Sequence, residues 1–412
     1  MNLRYILTAI SKFGIKGVVD YLARKPKEYA FQNSLRSTLR KQQPERGITL
    51  ITCFDYPGSL SKVMRDFAIM LKQAGIPYQT LNISCNNPIP RQELEFFLTP
   101  ENEFCLNKYS HIITMRDARQ YPATGCKTHC IEFWELEDGF VECCPEALRA
   151  QNVLALSDFN HNVFRKLLPP SIGVQKILYP FQFRHSPLAP RDVTREKYGM
   201  STEDFVVFFN FDYTSSYFRK NPEGILQAFS KALKKEPNVK IVFKTMRAKA
   251  CKAMSDRLRA LACELGLSKN LITIDNFIPQ EDLANLTNAC DVYMSLHRGE
   301  GFGLGIAEAM SLGKAVIVTD YSSTTEFCSS TNAMLVPYEL VPIRPEQLDN
   351  DAYRYATLWA EPDIDSAAKA LRKLYDDSAY REDLGRRACA DIKKLFSIDN
   401  FRKSVEEFLD AN

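Results

Sequence analysis

Two carboxylates stand eight positions apart in the stretch LHRGEGFGLGIAEAM, residues 296–310: Glu300 and Glu308, with Gly301, Gly303 and Gly305 between them. Glycine inside a helix costs roughly 1 kcal/mol relative to alanine, so three in one turn imply a close approach to that backbone. VYMSLHRGE reads as a strand whose C-terminal end delivers Glu300, and GFGLG reads as the turn. A helix then begins near Leu304 or Gly305 and ends near Leu312, with Gly313 just past it. The start of a helix offers unbonded N–H groups and about half a positive charge, which suits a diphosphate. Glu308 lies about one turn into the helix and leans toward its N-terminus, where it can accept hydrogen bonds from a ribose diol. Glu300, across the turn, would lie near a sugar. The bland alternative is a pair of solvated carboxylates and glycines that merely permit packing.

The elements that must position these residues alternate. ITLITCF, YQTLNI, HIITM, HCIEF and VLAL read as strands in the first half, with a helix of apolar face Leu60, Val63, Met64, Phe67, Ala68 and Leu71 ending at Gly75. The proline-rich segment Leu168–Asp192 suits a linker. Beyond it FVVFFNF, VKIVFK, LITI, VYMSL and AVIVT alternate with helices, and three helices close the chain. The pattern predicts an α/β fold of two Rossmann-like doubly wound domains facing a central cleft. The expected divisions are a basic helical extension (1–45), an N-terminal Rossmann-like domain (46–180), a C-terminal Rossmann-like domain (181–395) and a final helix (396–412) that could return to the N-terminal domain. Lys244, at the end of VKIVFK, would point into the cleft by the same strand-end logic, as a phosphate contact or as a rim charge.

Bulk properties bound the rest. The net charge of +3 on 412 residues gives no argument for nucleic acid, and no run of 18 apolar residues exists to span a membrane. YILTAI is cut short by Lys12, which argues against a secretory signal, and twelve cysteines then read as free thiols of a reducing cytoplasm. Cys126, His129, Cys130, Cys143 and Cys144 fit no paired zinc framework, and no metal ligand set is expected. The first 45 residues are basic and amphipathic; they would either touch an anionic membrane surface peripherally or pack with their charges in water.

The span IPQEDLANLTNACDVYMSLHRGEGFGLGIAEAMSLGKAVIVTDYSSTTEF, residues 278–327, resembles the donor-binding half of glycosyltransferase family 4, retaining enzymes of the GT-B fold. That resemblance implies that Glu308 binds ribose hydroxyls, that Glu300 lies by the donor sugar, and that backbone around Phe302, Gly303 and Leu304 meets the sugar and diphosphate. FVVFFNFDYTSSYFRKNPEGILQAF resembles the piece in which a basic residue neutralises the leaving diphosphate. Lys220 matches it best, with Arg219 beside it, although an Arg-Lys pair in a loop can equally be solvated surface. Many members place an arginine directly after that strand, where this chain has Asn210 and Phe211; Arg247 or Arg298 would have to substitute. YSSTTEF resembles the loop bordering the pyrophosphate, with Thr324 a candidate donor or a cap. In the first domain DYPGSLS resembles the glycine loop at the donor–acceptor junction, giving Gly58. Trp134 and Glu135 would line the acceptor pocket, or Trp134 would be a core aromatic. His129 is the nearest match to an active-site histidine.

The resemblance implies a cytoplasmic, membrane-peripheral glycosyltransferase that needs no cofactor beyond its nucleoside-diphosphate-sugar co-substrate. It would act on a glycan, possibly lipid-linked, of lipopolysaccharide, capsule or another surface polysaccharide. The competing functions are a hydrolysing nucleotide-sugar epimerase of the same fold and a non-catalytic nucleotide-sugar or glycan-binding protein.

Overall fold

The computed structural model of the chain describes residues 30, 33–39, 43–56, 58–83, 94–117, 121, 125–183 and 187–411. Most of the basic helical extension expected over residues 1–45 lies outside them. The strands fall into two six-stranded parallel sheets and a two-stranded antiparallel ribbon. The chain divides into two compact units, residues 1–130 with 149–152 and 412, and residues 131–148 with 153–411.

In the first unit, strands β1 (Glu45–Thr52), β2 (Tyr78–Asn82), β3 (Tyr109–Met115) and β4 (Lys127–Ile131) lie in the order β2-β1-β3-β4. Helix α1 (Ser59–Ala74) joins β1 to β2 and buries Val63, Met64, Phe67, Ala68 and Leu71, the stripe read from the sequence. It stops at Gly75 in the left-handed conformation, as a glycine C-cap does.

The second unit holds the short helix Phe140–Cys143, then most of β5 (Asn152–Ala155), α2 (Asp158–Leu167) and β6 (Gly173–Lys176). Strand β6 and helix α3 (Arg191–Lys197) occupy parts of the segment expected to be a plain linker. There follow β7 (Phe205–Asp212), α4 (Pro222–Leu233), β8 (Val239–Met246), α5 (Lys252–Glu264), β9 (Leu271–Asp275), α6 (Gln280–Ala289), β10 (Val292–Ser295), α7 (Leu304–Ser311), β11 (Ala315–Thr319) and β12 (Met334–Val336). These strands pair in the order β12-β11-β10-β7-β8-β9, all parallel. The central ones are apolar on both faces because helices cover both sides, which is why they read as continuous hydrophobic runs. The ribbon, β13 (Tyr338–Pro342) with β14 (Leu358–Pro362), was not foreseen. Helices α8 (Ile364–Asp376), α9 (Ser378–Leu395) and α10 (Ile398–Asp410) complete the unit. Ser404 of α10 accepts a hydrogen bond from the Leu178 amide at 2.9 Å, and Phe396, just before it, packs on Phe181.

Candidate active site

Strand β10 runs out at Ser295, and each residue of the turn beyond it is held separately. The Leu296 carbonyl accepts from Asn221 Nδ2 at 2.9 Å. His297 is fully buried, with Nε2 3.2 Å from the Tyr321 carbonyl and Nδ1 3.2 Å from Ser295 Oγ. A carbonyl only accepts, so Nε2 carries the proton and Nδ1 takes the serine hydroxyl. Burial holds the imidazole neutral, with a pKa of about 4, against the pull of Glu300. Arg298 forks onto Glu361 with two contacts of 2.7 Å and lies 5.0 Å from the Trp359 ring. The Glu300 amide donates to Ser322 Oγ at 2.8 Å, and its carbonyl accepts from the Ser323 amide at 3.3 Å.

The glycines have protein neighbours. A Cβ on Gly299 would stand 2.5 Å from the Glu135 carbonyl oxygen, and one on Gly303 would stand 2.6 Å from Thr324 Cγ2. A Cβ on Gly305 would overlap the Tyr293 hydroxyl, which donates to Asn210 Oδ1 at 2.7 Å. Packing inside the unit therefore accounts for residues that had suggested ligand approach. Gly303 has a second reason, a φ of +91° as it turns the chain into α7. The helix runs Leu304–Ser311 with Gly313 left-handed beyond it, close to the expected limits. Its first amides lack partners within the helix, as at any helix start. The Phe302 ring belongs to an aromatic core, stacked on Tyr179 at 3.5 Å and packed against Phe327 and Phe396, so only its backbone is available to a ligand. Glu308, half-buried in α7, accepts from Gln280 Nε2 at 3.2 Å.

The cations come from the turn after β7. A four-residue helix, Tyr217–Lys220, is started by Ser216, whose Oγ accepts from the Arg219 amide at 3.3 Å and donates to Asp349 at 2.6 Å. Asp349 also accepts from the Tyr217 amide at 2.5 Å. Asn221, left-handed with φ 52°, ends that helix and caps α4 through the Gly224 amide at 3.1 Å, and Pro222 follows at the first helical position. This turn brings Lys220 Nζ into direct contact with Glu300 Oε1. Arg219 Nη1 lies 3.8 Å from Glu300 Oε2, and Nη2 lies 3.7 Å from Glu135 Oε1. Glu135, Arg219, Lys220 and Glu300 thus form a cluster of two anions and two cations, with Arg219 and Glu300 buried and Glu135 and Lys220 half-buried. Burial raises the Glu300 carboxyl, but Lys220 and Arg219 outweigh it and hold the pKa at about 2. Burial and the Arg219 charge lower Lys220, with Glu300 opposing. A partly buried pair of this kind is weak evidence for stability and stronger evidence for a role.

Several expected residues are placed otherwise. Arg219 is only 4% exposed and spends its donors on the Gly299 carbonyl at 2.6 Å and the Ser215 carbonyl at 2.8 Å, so it braces the protein rather than reaching for a phosphate. Lys244 is buried and donates to the Thr245 carbonyl at 2.9 Å; burial lowers its pKa, with Asp275 and Asp212 opposing. Thr324 is buried and donates to the Tyr321 carbonyl at 3.0 Å. Trp134 is a core aromatic, its Nε1 bonded to the Asp138 carbonyl at 2.8 Å and its ring against Phe140 and Tyr353. Neither substitute arginine is spare: Arg298 holds Glu361, and Arg247 holds Asp212. In the first unit, His129 is fully buried with its Nε2 3.1 Å from His111 Nδ1, and burial lowers its pKa to about 3. Gly58 there is the extended N-cap of α1, and a Cβ on it would overlap the Tyr56 ring. Among the described residues, no three His, Cys, Asp or Glu side chains are grouped to hold a metal ion.

Sequence reading missed Tyr353, Asp349 and Tyr293, none of which carries a local signal, and noted Asn210 only as a departure from the family pattern. Tyr353 lies in the loop between the ribbon strands, with its ring 5.5 Å from the Arg219 guanidinium carbon.

Residues 191–390, which hold the turns after β7 and β10, match the family of glycosyl transferases group 1. That stretch carries the signature of a glycosyltransferase. The chain is 30% identical over 131 residues to the serotype-specific mannosyltransferase WbdA of Escherichia coli, a match covering 31% of this chain and 15% of that protein. It is 23% identical over 211 residues to O-antigen chain mannosyltransferase B of Escherichia coli, covering 50% of this chain and 53% of that one. The chain thus spans only part of the curated relatives it matches. Among solved structures it is similar to HepE of Anabaena in complex with UDP and glucose, at 15% identity over 89% of this chain and all of the other, with a TM-score of 0.60. It is also similar to WaaG, a glycosyltransferase involved in lipopolysaccharide biosynthesis, at 13% identity over 88% and 99%, with a TM-score of 0.56. The two six-stranded α/β sheets are those of the GT-B fold. No helix of the described residues is long and apolar enough to cross a membrane.

Proposed function

We propose that the chain is a retaining glycosyltransferase that moves a hexosyl group from a nucleoside-diphosphate-sugar to a hydroxyl of a surface-polysaccharide acceptor. The observation that carries this reading is the Lys220–Glu300 pair, Glu300 buried and Lys220 half-buried, at the mouth of the turn that opens α7. The diphosphate lies at the start of α7, where free amides and the helix dipole favour negative charge. Lys220 leaves Glu300 for the β-phosphate, and Glu300 turns to the sugar hydroxyls. Glu308 accepts the ribose hydroxyls from one turn inside the helix. In the transfer the bond from the anomeric carbon to phosphate oxygen breaks, and a bond to acceptor oxygen forms on the same face. The acceptor proton passes to the departing phosphate oxygen, so no protein nucleophile is called on. Lys220 meets the charge that grows on the leaving group, and the reading calls on no metal ion. The family match and the Escherichia coli polysaccharide mannosyltransferases support the reaction class and the acceptor class, and their names favour mannose as the sugar.

Calorimetric titration with UDP, GDP, dTDP, ADP and CMP tests the donor site. One diphosphate binds at micromolar concentration, and Glu308→Ala weakens it about tenfold, the order of a lost charge-assisted hydrogen bond. Binding of none of them by the wild-type chain would remove the basis for an enzyme.

A further inference from the structure

Arg219 reaches the reacting groups only through other atoms, and what holds it in place lies in an element that sequence reading left blank. Its guanidinium bonds the Gly299 carbonyl, immediately before Glu300, and stands 3.8 Å from the Glu300 carboxylate. Its other side faces the Glu135 carboxylate at 3.7 Å, and Nε finds no hydrogen-bond acceptor among the described residues. Tyr353 restrains this charge both through its ring and through its hydroxyl, which hydrogen-bonds with Arg219 and with Glu135. The ring is buried, 5.5 Å from the guanidinium carbon and 5.5 Å from the Trp134 ring.

The loop bearing Tyr353 is anchored on three sides. Asp349 takes Ser216 Oγ and the Tyr217 amide, and Asn350 Nδ2 donates to the Thr214 carbonyl at 3.1 Å. Asp138 accepts from the Thr357 amide at 3.1 Å and from the Thr357 hydroxyl. Gly139 packs so closely on Ala356 that a Cβ would stand 2.7 Å from its amide nitrogen. The loop thus ties residues 133–139 to residues 213–220, and Tyr353 stands where they meet.

We propose that Tyr353 is a positioning residue for the transfer chemistry, clamping Arg219 so that Arg219 fixes Gly299 and the Glu300 carboxylate beside Lys220. The inference rests on the donor-site reading above. A cation against an aromatic face in a desolvated site is held by the ring quadrupole, and a carboxylate displaced by a fraction of an ångström loses most of its value to an oriented sugar.

The test compares Tyr353→Phe, which keeps the ring, with Tyr353→Leu, which fills the space without it. The readout is hydrolysis of GDP-mannose and UDP-glucose by the full chain across pH, with melting temperature recorded alongside. The expected result is a kcat at least tenfold lower in Tyr353→Leu and a donor KM changed less than threefold, with Tyr353→Phe, which keeps the ring and loses the hydroxyl bonds, falling between Tyr353→Leu and wild type. The acid limb of the kcat profile should also move to higher pH in Tyr353→Leu. The groups facing Glu300 are Lys220, Arg219 and His297, with Glu135 and the phenols of Tyr293 and Tyr353 behind them. Arg219 helps to hold the Glu300 pKa down, so a loosened Arg219 lets it rise. Equal kcat and an unmoved acid limb in a folded Tyr353→Leu would overturn the inference while leaving the donor site standing. A wild-type chain that neither binds nor hydrolyses either donor would overturn both.

Discussion

The turn after β10 and the turn after β7 face each other across the Lys220–Glu300 contact, yet they are built from opposite materials. The first is glycine-rich, its backbone pressed against groups from elsewhere: the side chains of Thr324 and Tyr293 and the backbone carbonyl of Glu135. The second contains no glycine between Phe211 and Glu223. There Ser216 and Asn221 adopt positive φ themselves and bond backbone groups with their own side chains. The glycine turn is shaped by what surrounds it, and the polar turn largely shapes itself. One presents the carboxylate and a helix start; the other presents the cation. A substitution should therefore damage the two turns in different currencies, activity on the polar side and packing on the glycine side.

The largest effect is expected at the tip of the polar turn. Lys220→Ala removes the cation that meets the leaving group and should lower turnover about 10²- to 10³-fold, the range for losing one preplaced electrostatic partner. Donor consumption followed at saturating nucleotide-sugar checks it. A loss under tenfold would make Lys220 a structural counterion of Glu300 and nothing more. Folding should suffer less than activity, because Arg219 remains near the Glu300 carboxylate.

On the other side, Gly305→Ala is a packing test. Its Cβ would overlap the Tyr293 hydroxyl and crowd Asn210 Oδ1 at 2.9 Å. Both neighbours are held by their shared hydrogen bond and by strand pairing, β10 against β7. Overpacking of that kind costs about 1–3 kcal/mol, read by urea denaturation. If Gly305→Ala instead left stability unchanged and abolished nucleotide binding, the glycine would be there for the ligand, as the sequence alone suggested.

That contrast also marks what the sequence could tell. The second sheet was legible because its strands are buried on both faces and so read as unbroken apolar runs, FVVFFNF and AVIVT among them. Glu300 and Glu308 were singled out by their offsets from a strand end and a helix start, whereas Lys220 was singled out only by the family resemblance, and the fold brings Lys220 to Glu300. The ribbon was not. YELVP and LWAEP each place a proline at the end of a five-residue strand and mix Glu with apolar residues, a pattern no single period explains. The use of Arg219 was hidden for a different reason. Its partners Glu135 and Tyr353 are 84 and 134 positions away (219 − 135 and 353 − 219), and only the folded chain brings them to it.

The smallest effect concerns the hinge of the polar turn. Asn221 is left-handed, which costs a non-glycine residue about 1 kcal/mol or more. Its side chain recovers this by capping Gly224 N and donating to the Leu296 carbonyl. Asn221→Gly removes the strain and both bonds together, so the losses and gains nearly offset, and a net destabilisation of about 1 kcal/mol is expected. Asn221→Asp keeps the cap but turns an acceptor toward the Leu296 carbonyl in a buried place, and should cost more, about 2 kcal/mol. Urea midpoints for the two variants give the order directly. Aspartate below glycine means that the bond to Leu296, which joins the polar turn to the end of β10, carries the larger share. Glycine below aspartate means that the cap does, and then the two turns are coupled mainly through Lys220 and Glu300.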